Sequence, residues 1–565
     1  MTHIVVDPVT RIEGHLRIEA EVENGSVQDA WSSATMFRGI ELILRGRDPR
    51  DAWAFAQRIC GVCTTVHAIA SIRAVEDAIG AEPPPNAHLL RQIIMATQMI
   101  QDHVVHFYHL HALDWVDIVS ALSADAAATS QLAQSISDWP LSSTTYFRGV
   151  QERIQTFVDR GQLGPFGNAY WGHPAYRLPP EANLLAVSHY LEALDWQREV
   201  VKIHAILGGK NPHLQNFLVG GMASPVDPNE QASINMGSIA QMKSLAADAL
   251  EFVTKVYMPD LLAVASFYGD WAAIGGGVGN YMSYGEYAEG DGPNAPMYLP
   301  SGIIRNRDLA NVETLDPSLI TESVTHSWYE DGGSPLHPYQ GETNPNYTGP
   351  EPPYERLDTD GKYSWLKSPR YDGVPMEVGP LARMLVAYGR GHSRVQELVG
   401  GALSQLGVGP EALFSTLGRV AARGIETQVL AEKLDGWIDE LAENMGRGDL
   451  RIADNSKWDP STWPREATGA GMHEAPRGSL GHWVHIRDGQ IANYQCIVPS
   501  TWNAGPRDAQ GQPGPYEAAL LGTPVADLEQ PIEILRTVHS FDPCIACGVH
   551  VLDGKGHLRA KVRVL

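Results

Sequence analysis

Apolar and polar positions alternate over residues 3–35, reversing at Asn24-Gly25, and again over Trp483 to Tyr494 around Asp488-Gly489. Alternation about Asn-Gly or Asp-Gly predicts a β-hairpin near each end of the chain, because these pairs supply the positive-φ residues of a tight turn. From about Asp48 to Val119 the period becomes helical, with Leu89, Leu90, Ile93, Ile94, Ile100 and Val104 on one face. Further long helices are predicted over 180–208, 228–268, 377–401 and 409–445. Residues 270–375 are dense in glycine and proline, including Gly275-Gly276-Gly277 and Pro352-Pro353, which predicts an irregular insertion with short strands. The pattern therefore reads as mainly α with α+β flanks: a long-helix bundle core with N- and C-terminal β-hairpins. It divides into a β-rich segment 1–50, a helical core 51–268, the insertion 269–376, a second helical part 377–470, an α+β segment 471–550 and an extension 551–565.

With 565 residues, 43% of them hydrophobic, the chain can build a large core, which excludes a small binding module. A net charge of −24 argues against nucleic acid as a partner, since phosphate binding needs clustered Lys and Arg. No apolar run approaches the roughly 18 residues of a membrane span. The N-terminus has neither the basic nor the apolar region of a signal peptide, so this polypeptide is expected to be neither exported nor anchored by itself.

Four of the five cysteines form two Cys-x-x-Cys pairs, Cys60/Cys63 and Cys544/Cys547, at opposite ends of the chain. That is a metal-site spacing, because a two-residue gap lets both sulfurs of a pair face one point. A structural Zn(Cys)4 site, redox disulfides and a catalytic metal centre all remain open on spacing alone. The fifth, Cys496, suits a core position. His103, His106, His109 and His111 resemble a metal box, but they lack partners on other elements and read better as packing. Gly275–Gly279 lacks the lysine and the strand–helix context of a phosphate loop.

The residues around the pairs narrow the choice. Arg11-Ile12-Glu13-Gly14-His15, Phe37-Arg38-Gly39-Ile40-Glu41, Arg58 to His67, Asp102 to His109, and Ala475-Pro476-Arg477-Gly478 with Asp542 to His550 occur in order along nearly the whole chain. Together they closely resemble the large, catalytic subunit of nickel-iron hydrogenases of the membrane-bound or periplasmic uptake type, with no departure at a motif position. The resemblance implies Cys60 and Cys544 as terminal nickel ligands and Cys63 and Cys547 as sulfurs bridging nickel to iron, the iron also carrying carbon monoxide and cyanide. Soft thiolates suit that role. It further implies Arg477 and Ser500 as hydrogen-bonding partners of the cyanides, Pro476 and Pro499 as apolar walls, and Asp102 and Asp542 as carboxylates near Arg477. Glu13 corresponds to a proton-relay carboxylate beside Cys544. Glu41, the main-chain carbonyl of Cys496 and His550 correspond to magnesium ligands. If the first pair opens a helix, His67 falls on the same face as Cys63 and its imidazole can donate to the bridging sulfur; the alternative is an ordinary core histidine.

The same resemblance implies a precursor. Residues 551–565 carry four basic side chains against one acidic, and in the family an endopeptidase cuts after the corresponding histidine, here between His550 and Val551, once nickel-insertion factors have acted. Oxidising dihydrogen releases electrons, and the remaining cysteine offers no ligand set for an iron-sulfur relay. An iron-sulfur small subunit is therefore expected as an obligate partner, bound over the Cys60 region, supplying the export signal and passing electrons to a membrane carrier. The implied address is the periplasmic side of the cytoplasmic membrane, with the precursor in the cytoplasm. A hydrogen sensor at the same site, and a Zn(Cys)4 structural protein, are the competing readings.

Overall fold

The computed structural model describes residues 1–161, 164–167, 169–290, 295–350 and 356–548, with only the backbone of residues 165, 547 and 548. Strands β1 (Thr2–Val6), β2 (Leu16–Glu23) and β3 (Ser26–Ala34) form an antiparallel sheet whose β2–β3 turn is Asn24-Gly25. Asn24 and Gly25 both adopt positive φ, as the predicted hairpin requires. Helices α1 (Val66–Ile79) and α2 (Pro85–Val105) follow, and α2 widens into a π-helical turn at His106–His111. The bundle continues with α3 (Pro180–Val200), α4 (Met236–Phe252), α5 (Met258–Phe267), α6 (Pro380–Gly389), α7 (Ser393–Leu406) and the long α8 (Thr416–Gly446).

Four predicted helices differ in extent: the one expected over 180–208 is Pro180–Val200 followed by a separate helix Lys202–Gly208, and the other three differ each for a local reason. The helix expected from 228 starts at Met236, where the Asn235 side chain caps the amides of Gly237 and Ser238. The helix expected over 377–401 is two helices, parted at Gly391 with φ 84°. The helix expected from 409 begins at Thr416, capped by Ser415, after a 3-10 turn at Pro410–Leu413.

The second hairpin is part of a larger antiparallel sheet of β4 (Glu466–Ala475), β5 (Gly478–Arg487) and β6 (Gln490–Ile497). Strand β4 lies directly on α1 through Gly469 and Gly471, where a Cβ would overlap the carbonyls of Ala74 and Ala70. This close approach sets the helix that follows the first cysteine pair against the sheet. Short helices α9 (Pro499–Ala504), α10 (Ile532–Ser540) and α11 (Ile545–Gly548) complete the chain's described part. The N-terminal sheet shares one apolar core with the C-terminal segment, joining Leu16, Ile18 and Ala20 to Leu520, Ile534, Val538 and Ile545. The two ends of the chain are thus one structural unit. Among the described residues no helix is long and apolar enough to cross a membrane.

Candidate metal centre

Cys60 ends a 3-10 turn in extended conformation, and the amide of Cys63 donates to its sulfur at 3.2 Å, folding the first pair into a tight turn. The helix begins only afterwards, at Val66, so the pair precedes α1 rather than opening it. Cys544 lies before α11 and its amide donates to the Ser500 hydroxyl at 3.0 Å. The sulfurs of Cys60, Cys63 and Cys544 lie within 4.8 Å of one another, all buried, with Cys60 and Cys544 3.4 Å apart. That separation is far beyond the roughly 2.05 Å of a disulfide. The structure thereby joins donors from both ends of the chain. The side chain of Cys547, His550 and Val551 lie outside the described residues.

Backbone contacts hold the two ends in register. The carbonyl of Glu13 accepts from the amide of Ile545 at 2.6 Å, and Glu13 bridges Cys544 as an isolated parallel pair. Gly14, at φ 96°, leaves no room for a Cβ against the Ala546 amide, which is why a glycine follows the glutamate. Arg38 donates to the carbonyls of Arg58 (2.8 Å), Ile59 (2.7 Å) and Ala546 (3.3 Å), tying both cysteine segments to one guanidinium. His213 donates to the Cys60 carbonyl at 2.8 Å. Arg38 belongs to a motif segment yet has no evident role in the sequence, because its partners are distant carbonyls. His213 gives no sequence signal at all.

A cavity of about 230 Å³ opens beside the sulfurs of Cys63 and Cys544, walled by Val66, His67, Pro499, Ser500 and Arg477. Pro476 lies outside its lining; its carbonyl accepts from Arg383 at 2.9 Å, an anchor for the backbone leading to Arg477. Arg477 is buried between two carboxylates, donating to Asp102 at 3.1 Å and pairing with Asp542 at 3.0 Å. Burial pushes the Asp102 carboxyl up to about 7 against the pull of Arg477, and burial likewise raises Asp542. Among the described residues, Asp102 Oδ1 and Asp542 Oδ2 have no hydrogen-bond partner. Glu13 is half-buried, and its carboxyl is raised by burial first and by the nearby Cys60 second.

His67 lines the cavity, but its Nδ1 meets Nε2 of His482 at 3.0 Å, a partner on β5 that the sequence did not suggest. Burial holds its imidazole down to about 4, so it is neutral near pH 7. The histidines at 103–111 diverge: His103 pairs with Glu426 at 2.7 Å, while His106, His109 and His111 bond the carbonyls of His539, Tyr190 and Arg536. A second, more polar cavity of about 410 Å³ contains Glu41, Glu322, Thr343, Lys367 and Cys496. There the Glu41 carboxylate accepts from the Cys496 amide at 2.8 Å. Burial raises the neighbouring Glu322 carboxyl to about 7.

Three convergent thiols, acidic oxygens without partners and one guanidinium make a donor set matched to soft metal ions rather than to Mg²⁺ or Ca²⁺ alone. Comparison with known proteins gives the same direction. Residues 38–550 match the family described as nickel-dependent hydrogenase, and residues 3–37 match one described as HoxL-like. The chain is 52% identical to the uptake hydrogenase large subunit of Rhizobium leguminosarum bv. viciae, over 99% of this chain and 97% of that protein. It is 49% identical, over the same shares, to the hydrogenase-1 large chain of Escherichia coli K12. Its fold matches the Ni-Fe-Se hydrogenase from D. vulgaris Hildenborough with a TM-score of 0.78 at 34% identity, covering 97% of this chain and 100% of that one. With a buried thiol cluster built from both termini and a family match over nearly its full length, the chain belongs to the nickel-dependent hydrogenases as a large subunit, an enzyme of the nickel-iron type.

Proposed function

We propose that this large subunit cleaves dihydrogen heterolytically at a nickel-iron centre held by Cys60, Cys63, Cys544 and Cys547, and delivers the electrons to an iron-sulfur small subunit. The observation that carries the reading is the convergence of Cys60, Cys63 and Cys544 beside a cavity that Arg477 lines. The reaction yields two protons and two electrons from each dihydrogen. When bound, the nickel-iron group polarises dihydrogen and takes up the electrons. Residues of the chain handle the protons. Cys544 accepts one as a thiolate and Glu13, adjacent through its backbone, takes it onward; a carboxyl raised above its ordinary value exchanges protons with a thiol more readily than a fully acidic one. Arg477, held by Asp102 and Asp542, fixes a positive charge over the cavity where charge develops.

The finer features belong to the same reading. Carbon monoxide and cyanide on the iron suit the apolar wall of Pro499 and the donors Arg477 and Ser500. Magnesium suits the second cavity, where Glu41 and the raised Glu322 face Lys367, with Cys496 and His550 as further ligands. Maturation by nickel-insertion factors and cleavage between His550 and Val551, export with the partner to the periplasmic side of the membrane, and a membrane electron carrier complete the proposal. Infrared spectroscopy of the subunit purified with its partner tests it, alongside nickel, iron and zinc content and intact mass. Metal-bound carbonyl and cyanide bands with about one nickel and one iron per chain are expected; one zinc per chain without bands overturns it. Glu13→Gln is expected to slow hydrogen–deuterium exchange sharply while leaving both metals in place, and unchanged exchange removes Glu13 as the relay.

A further inference from the structure

Behind His67 runs a line of three buried side chains that the proposed chemistry leaves unused. His67 Nδ1 lies 3.0 Å from His482 Nε2, and His482 Nδ1 lies 2.7 Å from the Tyr494 hydroxyl. All three are buried, His67 on α1, His482 on β5 and Tyr494 on β6. Each contact needs one proton, and a neutral imidazole has one N–H, so the line has two self-consistent orders. In one, Tyr494 donates to His482, His482 donates through Nε2 to His67 Nδ1, and His67 keeps its proton on Nε2. In the reverse order His67 donates, and Nε2 presents a lone pair. The sulfur-lined cavity favours the first. His67 shares a cavity wall with the sulfurs of Cys63 and Cys544, and an N–H is attracted to sulfur where a lone pair is repelled.

We infer that His482 and Tyr494 are positioning residues that fix the tautomer of His67, so that Nε2–H is the face turned to the sulfur-lined cavity. The inference rests on the proposed metal centre only for its consequence: a hydrogen bond donated to a bridging thiolate withdraws electron density from the iron. The tautomer itself is a property of this chain. The test uses the full chain purified with its partner and labelled with 13C,15N-histidine, the His67 signals being identified by their loss in His67→Asn. Nitrogen NMR is expected to report the Nε2–H tautomer in the parent and a mixture of both tautomers in Tyr494→Phe. His482→Gln, whose amide still donates to Nδ1, is expected to restore the parent tautomer where His482→Leu does not. In the loaded enzyme, Tyr494→Phe is expected to move the carbonyl and cyanide bands together to lower wavenumber, by less than His67→Asn does, with nickel and iron content unchanged. An Nδ1–H tautomer in the parent, or a Tyr494→Phe variant with parent tautomer and bands, overturns the inference, as does loss of metal from Tyr494→Phe, which would make the line a scaffold. Absence of carbonyl and cyanide bands in the parent itself would strike the metal centre and leave the tautomer result standing.

Discussion

Glu426 and Asp102 are both fully buried and both face an arginine, yet their carboxyls move in opposite directions. Glu426 is held down to about 2 by the fork of Arg383, one arm at 2.7 Å, and by His103 at 2.7 Å. Asp102 receives one bond of 3.1 Å from Arg477, shares that arginine with Asp542, and rises to about 7. A bidentate pair with every oxygen engaged repays the desolvation of its charges; a single shared contact does not. The Arg383 region, which also binds Glu474 at 2.7 Å and the carbonyls of Ala475 and Pro476, is therefore settled scaffold. In the Arg477 region the carboxyls of Asp102 and Asp542 stay raised even with Arg477, and for Asp542 also Arg423, nearby, which suits a site built to receive positive metal ions. Burial alone does not separate Glu426 from Asp102; the number of charged contacts each carboxylate receives does.

Four substitutions break or sharpen that contrast. Cys544→Ser replaces a soft donor by a hard, neutral one and is expected to abolish nickel retention and with it all hydrogen oxidation, read by metal analysis of the purified complex. A nickel-replete variant would remove Cys544 from the donor set. Arg383→Met strands Glu426 and Glu474 as buried charges and is expected to cost about 3–5 kcal/mol, seen as a clear fall in thermal midpoint. An unchanged midpoint would mean the network is not the scaffold described. Arg477→Lys keeps a charge but cannot reach Asp102 and Asp542 together, and is expected to lower kcat on the order of 10²-fold with metals retained and stability little altered. The smallest effect belongs to Asp102→Asn. The folded carboxyl sits near 7 against an ordinary 3.8, so its contribution favours folding fully below about 3.8 and is lost as pH rises through 7. The metal-free precursor carrying asparagine should show a flatter dependence of its denaturant midpoint over that window, and an identical slope would place the rise elsewhere.

Much of this was legible before any coordinates. Asn24-Gly25 and Asp488-Gly489 both turn hairpins, since a two-residue turn is a local matter of backbone sterics. The cysteine pairs and their flanks pointed to the centre, because ligand spacing is also local. Helix ends were less legible, although Asn235 and Gly391 are ordinary cap and break signals that periodicity alone passes over. The partners of Arg38, His67 and Pro476 were hidden altogether. They lie from 20 to 508 residues away, several of them on the backbone, and a sequence pattern does not encode which carbonyl a guanidinium will find. His482 in particular sits among alternating residues of β5, where a buried polar side chain looks like any inward position.

The Glu13–Ile545 and Arg38–Ala546 contacts also impose a timetable on synthesis. A ribosome makes Cys60 and Cys63 early but reaches Cys544 only after roughly half a minute to a minute and a half more, at about 5–20 residues per second. Throughout that interval the clamp on the N-terminal half has no counterpart to grip. Donors from both ends can meet only once the last segment has been made, so the order of translation sets the earliest moment at which the pocket can close.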